Sequence, residues 1–256
     1  MEVVRYLMMQ NLAQKNRATV KSQYFDVSEE FIVNDSGDQV CASATVVKYK
    51  DRTLRLTQTM QEDELAPLFC GGEWAGTRLW QAAATLMDYV VDNYNMQDKV
   101  VLELGAGLGA PGMVCAWLGA KKAILTDVEE VTGLLRRNAE DNADHGCFVV
   151  EPLWWNVEGA AKLFDDHKID YAICCDCIFE PLYGDCWKQL SEVVTELVQK
   201  GVVCLVSVER RNHDGVDKFL ADISGRCSTP ASVVLDEVIE DSHIVLYEWR
   251  PETPVR

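Results

Sequence analysis

Long apolar runs are missing from this chain. The longest, such as residues 202–208, fall far short of the roughly 20 residues that a bilayer-crossing helix needs, so no membrane partner is expected. Positive charge is scarce too. Lys and Arg total 24 against 41 Asp and Glu, a net charge of −17, and no Lys/Arg cluster larger than a pair such as Arg136-Arg137 or Arg210-Arg211 occurs. A phosphate-binding face depends on clustered cations and counterion release, so no nucleic-acid partner is expected; the acidic balance favours basic, lysine-rich protein segments instead. Histidine is rare, with four scattered residues. The opening Met-Glu-Val-Val-Arg lacks the basic start, apolar run and small-residue site of a signal peptide, which leads us to expect a cytoplasmic or nuclear protein. No internal repeat or low-complexity tract breaks the chain.

Cysteine, by contrast, is plentiful. Most of the ten, including Cys115, Cys174, Cys175, Cys177 and Cys204, fall inside apolar runs and not at the loop-bounded spacing of a secreted disulfide scaffold. They read as reduced, buried thiols. Cys174 and Cys177 form a C-x-x-C, but it lies in an expected central strand without a second pair, so neither a metal site nor redox chemistry is expected.

At 256 residues, 48% hydrophobic and 25% charged, the chain suffices for one well-filled α/β domain with an appended element. The pattern changes near residue 75. Residues 1–75 read as a short helix (2–15) followed by an antiparallel β-unit (30–33, 42–49, 52–58) that packs on the core, the alternation of apolar and polar residues being broken at Asn34-Asp-Ser-Gly37 and Lys50-Asp51. Residues 76–256 read as the main domain. A helix is expected over 77–93, from the period of Leu79, Trp80, Ala83, Leu86, Met87 and Val90. Beyond it come strand 100–104, helix 109–118, strand 123–126, helix 131–144, strands 147–152 and 171–175, helix 182–199, strand 202–208 and helix 216–221. Two last strands, 231–235 and 243–249, have no helix between them. This order implies a seven-stranded, mostly parallel, doubly wound sheet with helices on both faces, closed by an antiparallel pair.

The chemistry concentrates in Val100-Val-Leu-Glu-Leu-Gly-Ala-Gly-Leu-Gly109 and Ala123-Ile-Leu-Thr-Asp127. Directly after an apolar strand, Gly105 and Gly107 let the backbone turn sharply around Ala106, Gly109 and Gly112 permit close packing, and Pro111 suits a first helical turn. Standing alone, such a turn is equally a plain strand-to-helix connection. Two acids decide otherwise. Glu103, at the carboxyl end of the strand, would repel a pyrophosphate but suits a cofactor bearing an amine and a positive sulfur. Asp127 ends the next strand about 20 residues on, where a carboxylate accepts both ribose hydroxyls. Their structural alternatives are a helix-entry acid and an N-cap. Together they point to S-adenosylmethionine and away from NAD.

Residues 74–250 resemble the seven-strand S-adenosylmethionine-dependent methyltransferases, more specifically the methyltransferase-like family 21 protein lysine methyltransferases. The resemblance is carried by Gly76-Thr-Arg-Leu-Trp80-Gln-Ala, Val101-Leu-Glu-Leu-Gly-Ala-Gly107, Leu125-Thr-Asp127, Leu153-Trp-Trp155-Asn and Cys175-Asp-Cys-Ile-Phe179. It implies that Asp176 and Phe179, matching the family's Asp-x-x-Tyr/Phe, lie beside the methyl donor at the mouth of a lysine channel. Here phenylalanine replaces the commoner tyrosine, which removes a phenolic hydroxyl but keeps a ring wall. Cys175 stands where the family usually has alanine, against the cofactor. The resemblance also sets Trp155 against the adenine and Trp80 over the pocket entrance.

Methyl transfer is an in-line displacement at carbon, so positioning of a neutral amine dominates. Lysine starts protonated, with a free pKa of roughly 10.4, and desolvation beside a sulfonium favours loss of that proton. Asp176 is expected to orient the amine and is a candidate general base. Trp154 should face away from Trp155 as core or surface filler, and Asn156 is placed near the adenine. The segment 207–213 is either a substrate contact or a solvated loop, and Glu73-Trp74 a lid or a linker. The expected partner is a protein substrate of the chaperone or translation-factor class. Two other readings stay open: methylation of arginine, histidine, a small amine or RNA, and a non-catalytic module that keeps the fold and grips a partner through the β-unit.

Overall fold

The computed structural model describes residues 20–33, 39–58 and 73–251. The helix expected over 2–15 lies outside them. Three strands, β1 (Asp26–Val33), β2 (Gln39–Tyr49) and β3 (Arg52–Thr57), form an antiparallel sheet in the order β1-β2-β3. Alternation in β3 turns Leu54 and Leu56 inward to complete burial while Thr53 and Arg55 face out. With Phe25, Val27 and Val47 they share one core cluster with Met87, Met113 and Leu134 of the main domain. Each buried leucine contributes roughly 1.5–3 kcal/mol, so the small sheet is held chiefly by the body it sits on.

The main sheet has seven strands: β4 (Val100–Leu104), β5 (Lys122–Asp127), β6 (Phe148–Pro152), β7 (Tyr171–Cys175), β8 (Val203–Glu209), β9 (Ser232–Ile239) and β10 (Ser242–Trp249). Their spatial order is β6-β5-β4-β7-β8-β10-β9, parallel from β6 through β8, with β10 antiparallel to both of its neighbours. The chain runs outward from β4 to β6 and then returns to the other side of β4. That reversal between β4 and β7 opens a crevice at the carboxyl ends of the strands, where doubly wound sheets bind ligands.

The helices are α1 (Gln81–Asn93), α2 (Ala110–Trp117), α3 (Glu129–Asp141), α4 (Val157–His167), α5 (Glu180–Tyr183), α6 (Trp187–Gln199) and α7 (Val216–Arg226). Three depart from the sequence-based expectation. Helix α4 was not foreseen: only Ala160 and Leu163 of its eleven residues are buried, too narrow a stripe to stand out, though Asn156 caps it by accepting from the Gly159 N–H at 2.7 Å. The helix expected over 182–199 is two helices, because the chain turns at Gly184 with φ +64°. The helix expected from 77 starts at Gln81, after a 3-10 turn at Glu73–Thr77.

Two buried asparagines join the sheets. Asn138 on α3 accepts from the Thr57 N–H at 2.8 Å and donates to the Thr57 carbonyl at 3.2 Å; Asn142, one turn on, accepts from Arg55 N–H at 3.2 Å and donates to its carbonyl at 3.1 Å. Their amides serve β3 as a neighbouring strand would, satisfying backbone groups that burial would otherwise leave unpaired.

Candidate active site

At the switch point lies a cleft of about 310 Å³, walled by residues from the β4 turn, the end of β5, the β6 exit, the β7 exit and the approach to α1. Of the ten residues singled out from the sequence, Trp80, Glu103, Gly105, Ala106, Gly107, Asp127, Trp155, Cys175 and Asp176 all line it. Phe179 lies in a small pocket next door, with Arg211.

The β4 turn is built on positive φ, +64° at Gly105 and +54° at Gly107. Any Cβ at Gly105 would come within 2.5 Å of Cys177 Sγ, and one at Gly107 within 2.7 Å of the Gly76 carbonyl oxygen. The space that glycine leaves is therefore filled by the protein itself. Its amides are equally committed: Ala106 N–H donates to Thr126 O at 2.9 Å, Gly107 N–H to Asp127 Oδ2 at 2.8 Å, Gly109 N–H to Ala106 O at 2.8 Å and Gly112 N–H to Glu103 Oε2 at 2.9 Å. A phosphate cradle needs such N–H groups pointing outward. This turn spends at least four inward, which suits a cofactor without phosphates.

Glu103 is 2% exposed, and burial pushes its carboxyl up to about 8 against the help of the Gly112 amide. An uncompensated buried carboxylate at the cleft wall asks for a cation. Asp127 accepts from Gly107 N–H and, through Oδ1, from Val128 N–H at 2.7 Å. It is not the N-cap of α3, a position taken by Val128. The Trp155 ring stands beside Gly105, with Cζ2 3.4 Å from where a Cβ would be. Burial also holds the Cys175 thiol well above its ordinary range.

Asp176, at φ +53°, is gripped. Arg211 donates to both of its oxygens, at 2.9 and 2.7 Å, and the Glu209 N–H adds a third bond at 3.1 Å. The same guanidinium pairs with Glu209 and lies over the rings of Phe179 (5.3 Å) and Trp80 (6.0 Å). Two carboxylates share one cation, leaving a net negative charge at the small pocket.

The family description matching residues 59–226 is that of lysine methyltransferases. The chain belongs to that family. Over 157 residues it is 42% identical to secreted RxLR effector protein 48 of Plasmopara viticola, covering 56% of this chain and 78% of that one. It is 36% identical over 110 residues to the histone-arginine methyltransferase METTL23 of Xenopus laevis, 41% of this chain and 46% of that one. With the protein-lysine N-methyltransferase EFM6 of Saccharomyces cerevisiae the identity is 27% over 173 residues, 56% and 68% of the two chains. Among solved structures, Pyrococcus horikoshii PH0793 superimposes with a TM-score of 0.51 at 10% identity, over 86% of this chain and 78% of that one, which speaks for the fold alone.

The cofactor of this methyltransferase is S-adenosylmethionine, and the cleft fits it in three ways: a buried acid for cationic groups, a second acid at the end of β5, and an indole wall. Asn156 is not among the residues lining the cleft. Its carboxamide caps α4 and donates to the Trp154 carbonyl, so it is spent on the backbone. Trp154 is 63% exposed, yet it also reaches the cleft rim. In the 207–213 segment the buried Ser207 Oγ bonds Ala82 O, Arg210 braces Asp214 and Asp217 on the outside, and Arg211 reaches the site. Glu73-Trp74 begin the 3-10 turn before α1. Arg211, Cys177 and Tyr183 were not singled out as site residues. Arg211 lay inside a noted segment, Cys177 within the noted C-x-x-C, and Tyr183 follows Phe179 by one helical turn. Among the described residues no group of three or more metal-ligating side chains converges, and no helix is long and apolar enough to cross a membrane.

Proposed function

We propose that the methyltransferase modifies a lysine side chain of a protein presented through the small pocket beside Asp176, with the cofactor in the large cleft. The observation that carries this reading is the meeting of two cavities at Asp176: one walled by Glu103, Asp127 and Trp155, the other by Phe179 and Arg211. S-adenosylmethionine supplies a methyl group on a positive sulfur; the amine nitrogen forms a bond to that carbon as the carbon–sulfur bond breaks, and the proton the lysine sheds goes to solvent. Glu103 takes the cofactor's cationic end, Asp127 its ribose hydroxyls, Trp155 the base and Cys175 the wall between, with Ala106 threading the turn. Trp80 covers the entrance.

Asp176 acts as an orienting charge. With both oxygens forked by Arg211 and a third bond from the Glu209 N–H, most of its lone pairs are committed, which argues for positioning over general-base action. The net negative cluster attracts an ammonium, while burial favours its neutral form. The −17 charge suits a basic acceptor segment, and chaperones and translation factors are the protein classes to test first. All eight described cysteines are free thiols, which supports work in a reducing compartment such as the cytoplasm.

A second reading, an arginine acceptor, is favoured by the METTL23 relative. The deciding experiment incubates the protein with methyl-tritiated S-adenosylmethionine and a hypomethylated protein extract, followed by acid hydrolysis. Tritium in methyl-lysine supports the first reading; tritium only in methyl-arginine replaces it. Binding of S-adenosylhomocysteine with no label in protein would leave neither.

A further inference from the structure

Resting on that reading of the cleft, we propose that the Tyr183 hydroxyl is the group that holds the acceptor amine in line with the methyl carbon. Four residues line both the large cleft and the small pocket: Trp80, Asp176, Leu182 and Tyr183. A side chain passing from the protein surface to the cofactor goes between them. Trp80 and Leu182 offer an amine no acceptor, and Asp176 is largely committed. Trp80 donates its Nε1–H to Ala75 O at 2.9 Å, Asp176 has both oxygens in the Arg211 fork, and Leu182 is apolar.

Tyr183 differs. It is half-buried, and its hydroxyl makes no hydrogen bond among the described residues. Burial holds the phenol well above its ordinary range, the neighbouring acids pushing the same way, so it stays neutral throughout the working pH and takes no part as a base. A neutral phenol oxygen accepts an N–H. An amine that donates one N–H to this oxygen keeps its lone pair free, and the direction of that bond fixes where the lone pair points. That is the requirement of an in-line displacement.

Local structure explains the placement. Phe179 is the N-cap of α5 and Tyr183 its last residue, one turn on, after which Gly184 at φ +64° turns the chain away. Phe179 contributes a ring under Arg211 but no hydroxyl. The hydroxyl comes from one turn later on the same short helix, and Leu182 and Tyr183 are carried together to the junction.

The test is Tyr183→Phe, which keeps the ring and removes an oxygen that makes no hydrogen bond among the described residues, so folding is not at risk. Three quantities are compared with wild type: affinity for S-adenosylhomocysteine by calorimetry, the thermal midpoint, and the rate of tritium entry into methyl-lysine at saturating cofactor with extract protein as acceptor. The expected result is a roughly three- to tenfold slower rate, the worth of one neutral hydrogen bond, with affinity and midpoint unchanged. A merely space-filling tyrosine would leave the rate where it was, and equal labelling by Tyr183→Phe and wild type overturns the proposal. Wild type that binds S-adenosylhomocysteine but labels no lysine overturns the acceptor reading and this one with it.

Discussion

Glu103→Gln isolates the electrostatics of the cofactor site. The wild-type carboxyl is raised by burial from 4.5 to about 8. In the folded protein it holds a proton between those pH values that the unfolded chain has released. Stability from this group is therefore greatest below about pH 4.5, falls as pH rises, and levels off above pH 8; at 1.36 kcal/mol per pH decade the total is on the order of 5 kcal/mol. Glutamine keeps an acceptor for the Gly112 amide and removes the titration. Its thermal midpoint should match wild type near pH 5 and exceed it increasingly up to about pH 8, the gain levelling off beyond. Cofactor binding adds a sharper signature. At pH 7 about nine-tenths of the wild-type sites carry the proton, and the arriving cation expels it. Calorimetric titration with S-adenosylmethionine in phosphate and in Tris should show wild type releasing about 0.9 proton more than the variant at pH 7, and about 0.1 more at pH 9. Heats whose buffer dependence is the same in wild type and Glu103→Gln would refute the assignment of Glu103 to the cation.

Gly105→Ala forces an L-residue to φ +64° and its Cβ to 2.5 Å from Cys177 Sγ, at about 1–2 kcal/mol for the backbone alone. The expected outcome is a lower melting temperature and S-adenosylhomocysteine affinity, with partial recovery of the melting temperature in Gly105→Ala/Cys177→Ala; no recovery would mean that the thiol contact is not the cause. Asn156→Ala removes a helix cap, so chemical denaturation should show a loss of about 1 kcal/mol with unchanged cofactor affinity, and weakened binding in calorimetry would restore Asn156 to the cofactor site. Asp176→Asn leaves the buried Arg211 with half of its charge partners; we expect a loss of about 3 kcal/mol and at least roughly tenfold slower lysine labelling, while S-adenosylhomocysteine still binds. Full labelling by that variant would show that Asp176 braces the loop without serving the acceptor.

The cofactor half of the site was legible because it is local. Strand, glycine turn and the acids Glu103 and Asp127 fall within 28 positions, and each residue type has one physical reason for its place. The order of strands was legible for the same cause, since apolar runs alternate with helical periods. What stayed hidden depends on contacts distant in sequence. Arg211 is an ordinary cation until β8 sets it 35 residues from Asp176 along the chain and 2.7 Å away in space. Asn138 and Asn142 look like solvated helix residues, and only packing against β3 makes their amides structural. Helix α4 lacked a broad apolar face, and Asn156, read as a ligand contact, was its cap. Tyr183 stands one turn beyond Phe179, and no sequence pattern set it apart before the fold carried it to the junction of the two cavities.

The antiparallel insertion of β10 between β8 and β9 sets a timetable for synthesis. The loop bearing Glu209 and Arg211 leaves β8, and the Arg210 N–H is bonded to the His243 carbonyl on β10. Until a ribosome has released Ser242–Trp249, β8 is an open edge whose Val206 and Val208 await cover, and the acceptor side lacks one of its supports. The glycine turn and Asp127 belong to strands made far earlier. The nascent chain should therefore acquire its large cleft before the loop bearing Arg211 is fully braced, and a chain arrested before β10 would present a sticky edge at β8.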